Sequence, residues 1–333
     1  MNEFRNNPGK ENNNPEDNNS EMPQGTEKQI NPLISPIVAA IIGLAGAFFL
    51  YQIVGGAITL LIFGRDIQSA PVNAVRLLTA GGQILFILLP ALVFAKWIYE
   101  DVSTIIRIKV PDWKEFGLFI LGIIILTPLL QNYIYIQNYI FEYLSKISPF
   151  FQNIKSTLDS LDKLIENTYS NLLSSNNILE GIFVVVIVSV VPAVCEETMF
   201  RGYIQKSFEF KLKPFWAALI TAIFFGLYHF NPYGLIPLIG LGLYFGFAAY
   251  TSNSIFIPMT LHFLNNFAAI ILYFVFGNDE LINTKVESSA DFKSTIISFI
   301  LLLMVFSGVI VLIKRYYSQV KNIRRKNAGL PEL

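Results

Sequence analysis

The stretch GIFVVVIVSVVPAVCEETMFRGYIQ, residues 181–205, sets an apolar run against two adjacent carboxylates and an arginine. Up to Val194 it carries no charge and reads as the body of a membrane helix. Charge at such depth costs about 2.5–3.5 kcal/mol per residue, so an idle Glu-Glu-Arg cluster is a poor fit to a passive span. On a helix, Glu197 and Arg201 stand four residues apart with the acid first, which lets them neutralise each other. Glu196 is rotated by about 100° and has no basic residue three or four positions away, so it remains a carboxylate available as a general base. An ion-pair knot at the end of a helix is the alternative reading of the group.

The rest of the chain supports a membrane setting. Of 333 residues, 53% are hydrophobic and 14% charged, against about 25% charged in soluble domains. Lys plus Arg and Asp plus Glu are 24 each, so net charge offers no case for a nucleic-acid partner. Residues 1–32 are rich in Asn with Pro, Glu and Gly, and are expected to form a disordered polar tail. Apolar runs near the roughly 20 residues needed to cross a bilayer recur at 33–63, 75–97, 116–143, 179–200, 214–231, 233–251, 254–276 and 294–314. The expectation is an all-α polytopic membrane protein of about eight spans: three within 33–145, a core of four within 179–276, and a last one opening a segment, 294–333, that ends in a basic tail.

Lys and Arg concentrate on alternate connections and on the run from Lys314, which by the positive-inside rule puts both termini in the cytoplasm. Between the third and fourth spans, in 146–178, Ile154, Leu158, Leu161, Ile165, Tyr169 and Leu172 recur at helical spacing. That segment is expected to be an external amphipathic helix resting on the membrane.

The chain holds two histidines, both in apolar surroundings. His229 follows Phe225 by one turn in FFGLYHF, and His262 precedes Asn266 by one turn in LHFLNNF, so imidazole and amide share a face. Each alone is compatible with a satisfied core residue or with interhelical hydrogen bonding. Together with Glu196 they place acid, imidazole and amide on three apolar helices that packing can bring to one point. No HExxH or GxSxG pattern is present, and the lone cysteine, Cys195, sits in surroundings where a thiol is usually inert.

Glu196-Glu197-x-x-x-Arg201, Phe225-x-x-x-His229 and His262-x-x-x-Asn266 resemble, in order and without substitution, the three motifs of the CAAX-type prenyl endopeptidases and their bacterial CPBP relatives. The resemblance covers about residues 180–275. It implies an intramembrane hydrolase of a bacterial cell membrane that cuts a peptide bond in a membrane-embedded or lipidated peptide. In it Glu196 and His229 would activate water, His262 and Asn266 would stabilise the oxyanion, and Glu197 and Arg201 would support them. The family is also described as metalloproteases, and Glu196, His229 and His262 would make a two-His, one-Glu zinc set. That use would leave no free base except Glu197, so metal-independent activation of water is the preferred expectation. A non-catalytic membrane scaffold or immunity factor of the same fold is the competing functional class, and a transporter or proton relay the third.

One geometric difficulty follows from the spacing. His229 lies deep along the fifth span and His262 shallow along the seventh, so straight, flush helices would not bring them together. The uncharged turn at 231–234 suggests that the fifth and sixth spans form a hairpin that turns within protein.

Overall fold

The computed structural model describes residues 30–277 and 289–327. The chain divides into Met1–Asn31 and Pro32–Leu333, and the architecture below concerns the second unit. The polar tail expected over 1–32 falls almost wholly outside the described residues, as does most of the connection after Gly277.

The described residues form helices and no strand. In chain order they are α1 (Pro36–Phe63), α2 (Val72–Tyr99), the short α3 (Val102–Ile106), α4 (Trp113–Ile147), α5 (Pro149–Leu173), α6 (Ile178–Glu209), α7 (Pro214–Tyr228), α8 (Leu235–Ser252), α9 (Phe256–Phe276) and α10 (Ser289–Asn327). A helix lies at each of the eight apolar runs, and seven are long and apolar enough to cross a membrane: α1, α2, α4, α6, α8, α9 and α10. The protein is therefore an all-α polytopic membrane protein. The count differs from eight because of α7, whose 15 residues make about 22 Å of helix, short of the roughly 30 Å apolar layer.

Helix α7 is short because it belongs to a hairpin. Cβ atoms added at Gly226, Gly242 and Gly246 would press on Ile239, Ala222 and Ala218, respectively. These pairs run in opposite directions along α7 and α8, so small residues let two antiparallel backbones approach. Half of the apolar window of α8 is buried and only 11% of that of α10, which makes α8 a central helix and α10 a peripheral one. Around α8, Phe119 and Leu126 of α4, Tyr244 and Phe245 of α8 and Leu261 of α9 form a continuous core. At the opposite end from the α7–α8 turn, Arg107 pairs with Glu209 of α6 at 2.6 Å and donates to the carbonyl of Ala249 in the last turn of α8 at 3.0 Å.

Helix α5 crosses the end of the bundle. Pro149 starts it, with the Ser148 hydroxyl accepting from the Phe150 N–H. Lys155 then bridges Glu142 of α4 and Asp159 of α5 itself, at 3.6 and 2.7 Å, and Asp159 accepts from the Tyr233 hydroxyl in the α7–α8 turn at 2.6 Å. The far end of α5 is held by Arg76 of α2, which donates to the carbonyls of Leu172 and Ser174 and to the Asn73 side chain. A cation against the last carbonyls of a helix satisfies acceptors that the helix itself leaves open.

Candidate active site

Residues from seven helices enclose a cavity of about 630 Å³, and Glu196, His229, His262 and Asn266 all line it. Glu196 and Gln83 face it from α6 and α2, Tyr51 and Gln52 from α1, and Phe245 from α8. The remaining side is closed by α5 through Leu164, Ile165, Thr168, Tyr169, Leu172 and Leu173. Half of the amphipathic stripe of 146–178 thus faces this cavity.

The two glutamates have separate environments. Glu197 is fully buried and lies behind the wall: its Oε1 accepts from Arg201 Nη1 and from His262 Nδ1, both at 2.8 Å. Arg201, equally buried, also donates to the carbonyl of Gly242 at 3.2 Å and lies 4.2 Å above the Phe225 ring. Glu196 turns the other way, as the 100° rotation requires, and accepts from Gln83 Nε2 at 3.1 Å; its Oε2 is buried and has no hydrogen-bond partner among the described residues.

The imidazoles are oriented by opposite means. His229 ends α7, and its Nδ1 donates to the carbonyl of Phe225 at 2.7 Å, which leaves Nε2 as the acceptor nitrogen. The next residue, Phe230, has φ of 51°, a left-handed conformation costly for a non-glycine residue, and it breaks the helix directly after the histidine. Asn231 Oδ1 then takes the Gly234 N–H at 2.7 Å and closes the turn. His262 is buried, its ring stacked on Phe245 with centroids 5.6 Å apart. Because Glu197 takes its Nδ1, Nε2 is the nitrogen left for the cavity. Phe225 lies between the two rings, edge-on to His229 at 4.7 Å and to His262 at 6.0 Å. This resolves the spacing difficulty: His229 is the fifteenth residue after Pro214 whereas His262 is the sixth after Phe256, so α7 and α9 are offset along their lengths.

Asn266 is held against α6: its Nδ2 donates to the carbonyl of Val188 at 3.0 Å, in the widened turn Val186–Val190 that precedes Pro192. Asn265 Nδ2 in turn reaches Asn266 Oδ1 at 3.3 Å.

The zinc set does not assemble. Among the described residues no three His, Cys, Asp or Glu side chains lie close enough to hold a metal ion. By that geometry the residues present do not fit a resident zinc. Cys195 is buried and does not line the cavity.

Residues 178–268 match the family model described as type II CAAX prenyl endopeptidase Rce1-like. Over that segment the chain is similar to an Rce1-like domain. No curated protein and no solved structure gave a match. The family suggests an intramembrane endopeptidase, with a membrane-embedded substrate and the bilayer as its surroundings. The Rce1-like segment contains Glu196, His229, His262 and Asn266, whereas Gln83, Tyr51 and the whole of α5 lie outside it. Sequence reasoning missed Gln83, which sits mid-span without a motif, and the hub role of Phe225. It also missed the bond between Glu197 and His262, which are 65 residues apart.

Proposed function

We propose that the protein hydrolyses a peptide bond of a membrane-embedded or lipidated peptide, with a water activated by Glu196 and His229. The observation that supports it is that Glu196, His229, His262 and Asn266, drawn from three helices, line one cavity. Glu196 presents an unpartnered carboxylate oxygen and His229 an acceptor nitrogen, the two kinds of atom that can draw a proton from water. The hydroxide equivalent adds to the scissile carbonyl, and its proton, held on Glu196, passes to the leaving amine as the C–N bond breaks. No acyl-enzyme forms and no step is routed through a metal.

The oxyanion is met from α9. Asn266 keeps one amide proton beyond the one it gives Val188, and His262, braced by Glu197, donates from Nε2 when its ring carries both protons. In characterised hydrolases one such donor is worth about 2.7–4 kcal/mol. Glu197 and Arg201 act as positioning residues, since neither lines the cavity. On this reading the protein sits in a bacterial cell membrane with both termini cytoplasmic.

Glu196→Gln keeps the size and the Gln83 hydrogen bond but removes the base. Cleavage is expected to fall by about 10²–10⁴-fold. Membrane peptides from cells carrying the normal and the Glu196→Gln protein should differ by the substrate and its fragments. Identical peptide sets, with the variant at normal level in the membrane, would defeat the protease reading and favour a scaffold.

A further inference from the structure

We propose that Gln83 is a positioning residue of this site: its amide holds one oxygen of the Glu196 carboxylate and leaves the other turned to the water that Glu196 activates. This rests on the endopeptidase reading above and adds to it a residue of α2, outside the matched segment 178–268.

The first observation is the direction of the bond. An ionised carboxylate only accepts, so the Gln83 side chain must present its N–H side to it, and Nε2 lies 3.1 Å from Glu196 Oε1. Glu196 Oε2 is left buried and without a partner among the described residues, in a wall shared with His229. One carboxylate oxygen is thereby fixed and the other is free to take a proton. An amide suits that task better than the alternatives. A cation at position 83 would make an ion pair of the kind that occupies Glu197, and an apolar side chain would leave the carboxylate free to rotate with neither oxygen held. An amide N–H supports an ionised carboxylate without cancelling its charge.

The second observation is the place of Gln83 in its helix. It is only 7% exposed within a membrane-spanning helix, where an amide is costly to bury unless it is hydrogen-bonded. Helix α2 widens into a π turn at Ile84–Leu88, directly after Gln83, and α6 does the same at Thr198–Ile204, directly after the Glu196-Glu197 pair. Turns of this kind are rare and collect at functional sites. The Tyr51 ring of α1 lies 3.4 Å from where a Cβ at Gly82 would stand, so the glycine before Gln83 lets a third helix pack closely at this level. A bond that merely joined α2 to α6 would make the same contact; the two roles differ in what they do to the rate.

The test uses the purified full-length chain in detergent micelles and the best-cut member of a panel of apolar, internally quenched peptides. Gln83→Met keeps the length of the side chain and removes the N–H donor. It is expected to lower kcat by about tenfold or more and to leave KM within about threefold, because the lost bond is to the base and not to the substrate. In a Glu196→Gln background the same substitution should have less than about a threefold further effect, since no base is left to orient. An equal loss in both backgrounds, a change confined to KM, or an unchanged kcat would overturn the proposal. Labelling of Glu196 by dicyclohexylcarbodiimide, which attacks protonated carboxyl groups, gives a readout apart from cleavage. Followed by mass spectrometry at pH 7, it should be about fivefold faster or more in Gln83→Met, and an equal rate would overturn the proposal. If the wild type cuts no peptide, the endopeptidase reading fails, and the labelling alone decides whether Gln83 holds the carboxylate. Should Gln83→Met not fold, Gln83→Asn, which draws the amide back by one methylene, replaces it with the same expectations.

Discussion

The inner wall of the cavity, on α6, α7 and α9, and its outer cover, α5, hold their shapes by different means. Inside, one buried carboxylate, Glu197, is shared by Arg201 and His262, and the guanidinium rests on Phe225, which also touches both imidazoles. Each group there answers for the position of another, and none of the three charged or polar members can leave without stranding its partners. Outside, α5 is fastened at two places, at Asp159 by an exposed contact and at its end by buried Arg76, while its aliphatic side chains merely cover the cavity. The contrast teaches that the candidate residues stand on an interlocked frame, whereas the cover is fastened at Asp159 and at its C-terminal end.

That contrast can be broken from either side. The largest effect is expected at Arg201. Arg201→Met leaves Glu197 buried with only His262 as partner, and loss of one member of a buried pair costs about 3–5 kcal/mol. Thermal denaturation in detergent should show a strong fall in midpoint together with lost cleavage; an unchanged midpoint would mean that the inner network is not structural.

A second effect should be large in activity and small in stability. In a Cys195→Ala background, cysteines at Asp159 and Tyr233 joined by a short reducible crosslinker fasten α5 to the α7–α8 turn without entering the cavity. Cleavage is expected to drop at least tenfold and to return on reduction. Unaltered turnover of the bridged protein would show that α5 does not move during the reaction.

Arg76→Gln should be milder. It removes the donor to the carbonyls of half-buried Leu172 and exposed Ser174, for which about 0.5–1.5 kcal/mol is the usual worth of a hydrogen bond. Hydrogen exchange should rise across α5 and stay unchanged across α6 and α9; a rise in all three would merge the two walls into one cooperative unit.

The smallest effect concerns pH. Partial burial pushes the Asp159 carboxyl up, but the hydrogen bonds from Lys155 and Tyr233 outweigh it and hold it below the usual carboxylate range. The hydrogen bond to Asp159 raises the Lys155 ammonium, against the opposing effect of burial. A depressed acid gives stability above its unfolded value and loses it only as pH falls through the lowered one. A raised base keeps its contribution until pH climbs through the raised value. The fastening of α5 is therefore constant from about pH 5 to 10, given ordinary values of about 3.9 and 10.4. A pH–rate profile over pH 5–9 should have the same shape for wild type and Asp159→Asn, so that its inflections report the cavity. A shifted profile in the variant would assign them to the cover.

Much of this was legible in the residues. Long apolar runs can only cross a membrane as helices, because backbone groups find no water there, and so the helix positions followed from hydropathy. Glu197 and Arg201 were readable as partners because a helix alone sets four-residue neighbours. The short α7 was harder to see, since its length depends on the Phe230 conformation and on small residues packing against α8. The zinc set looked plausible by residue type, but among the described residues no three such side chains come close enough together to hold a metal ion, a distance that no local spacing reveals.

The amino-acid sequence by itself determined the membrane class, the helix positions, the Glu197–Arg201 pair and the candidates Glu196, His229, His262 and Asn266, because each follows from composition or from periodicity within one helix. Only the tertiary structure decided that Gln83 meets Glu196, that Asn266 takes the Val188 carbonyl, and that α5 covers the cavity. Those contacts join helices far apart in the chain, and their geometry is set by packing, which no single stretch of residues encodes.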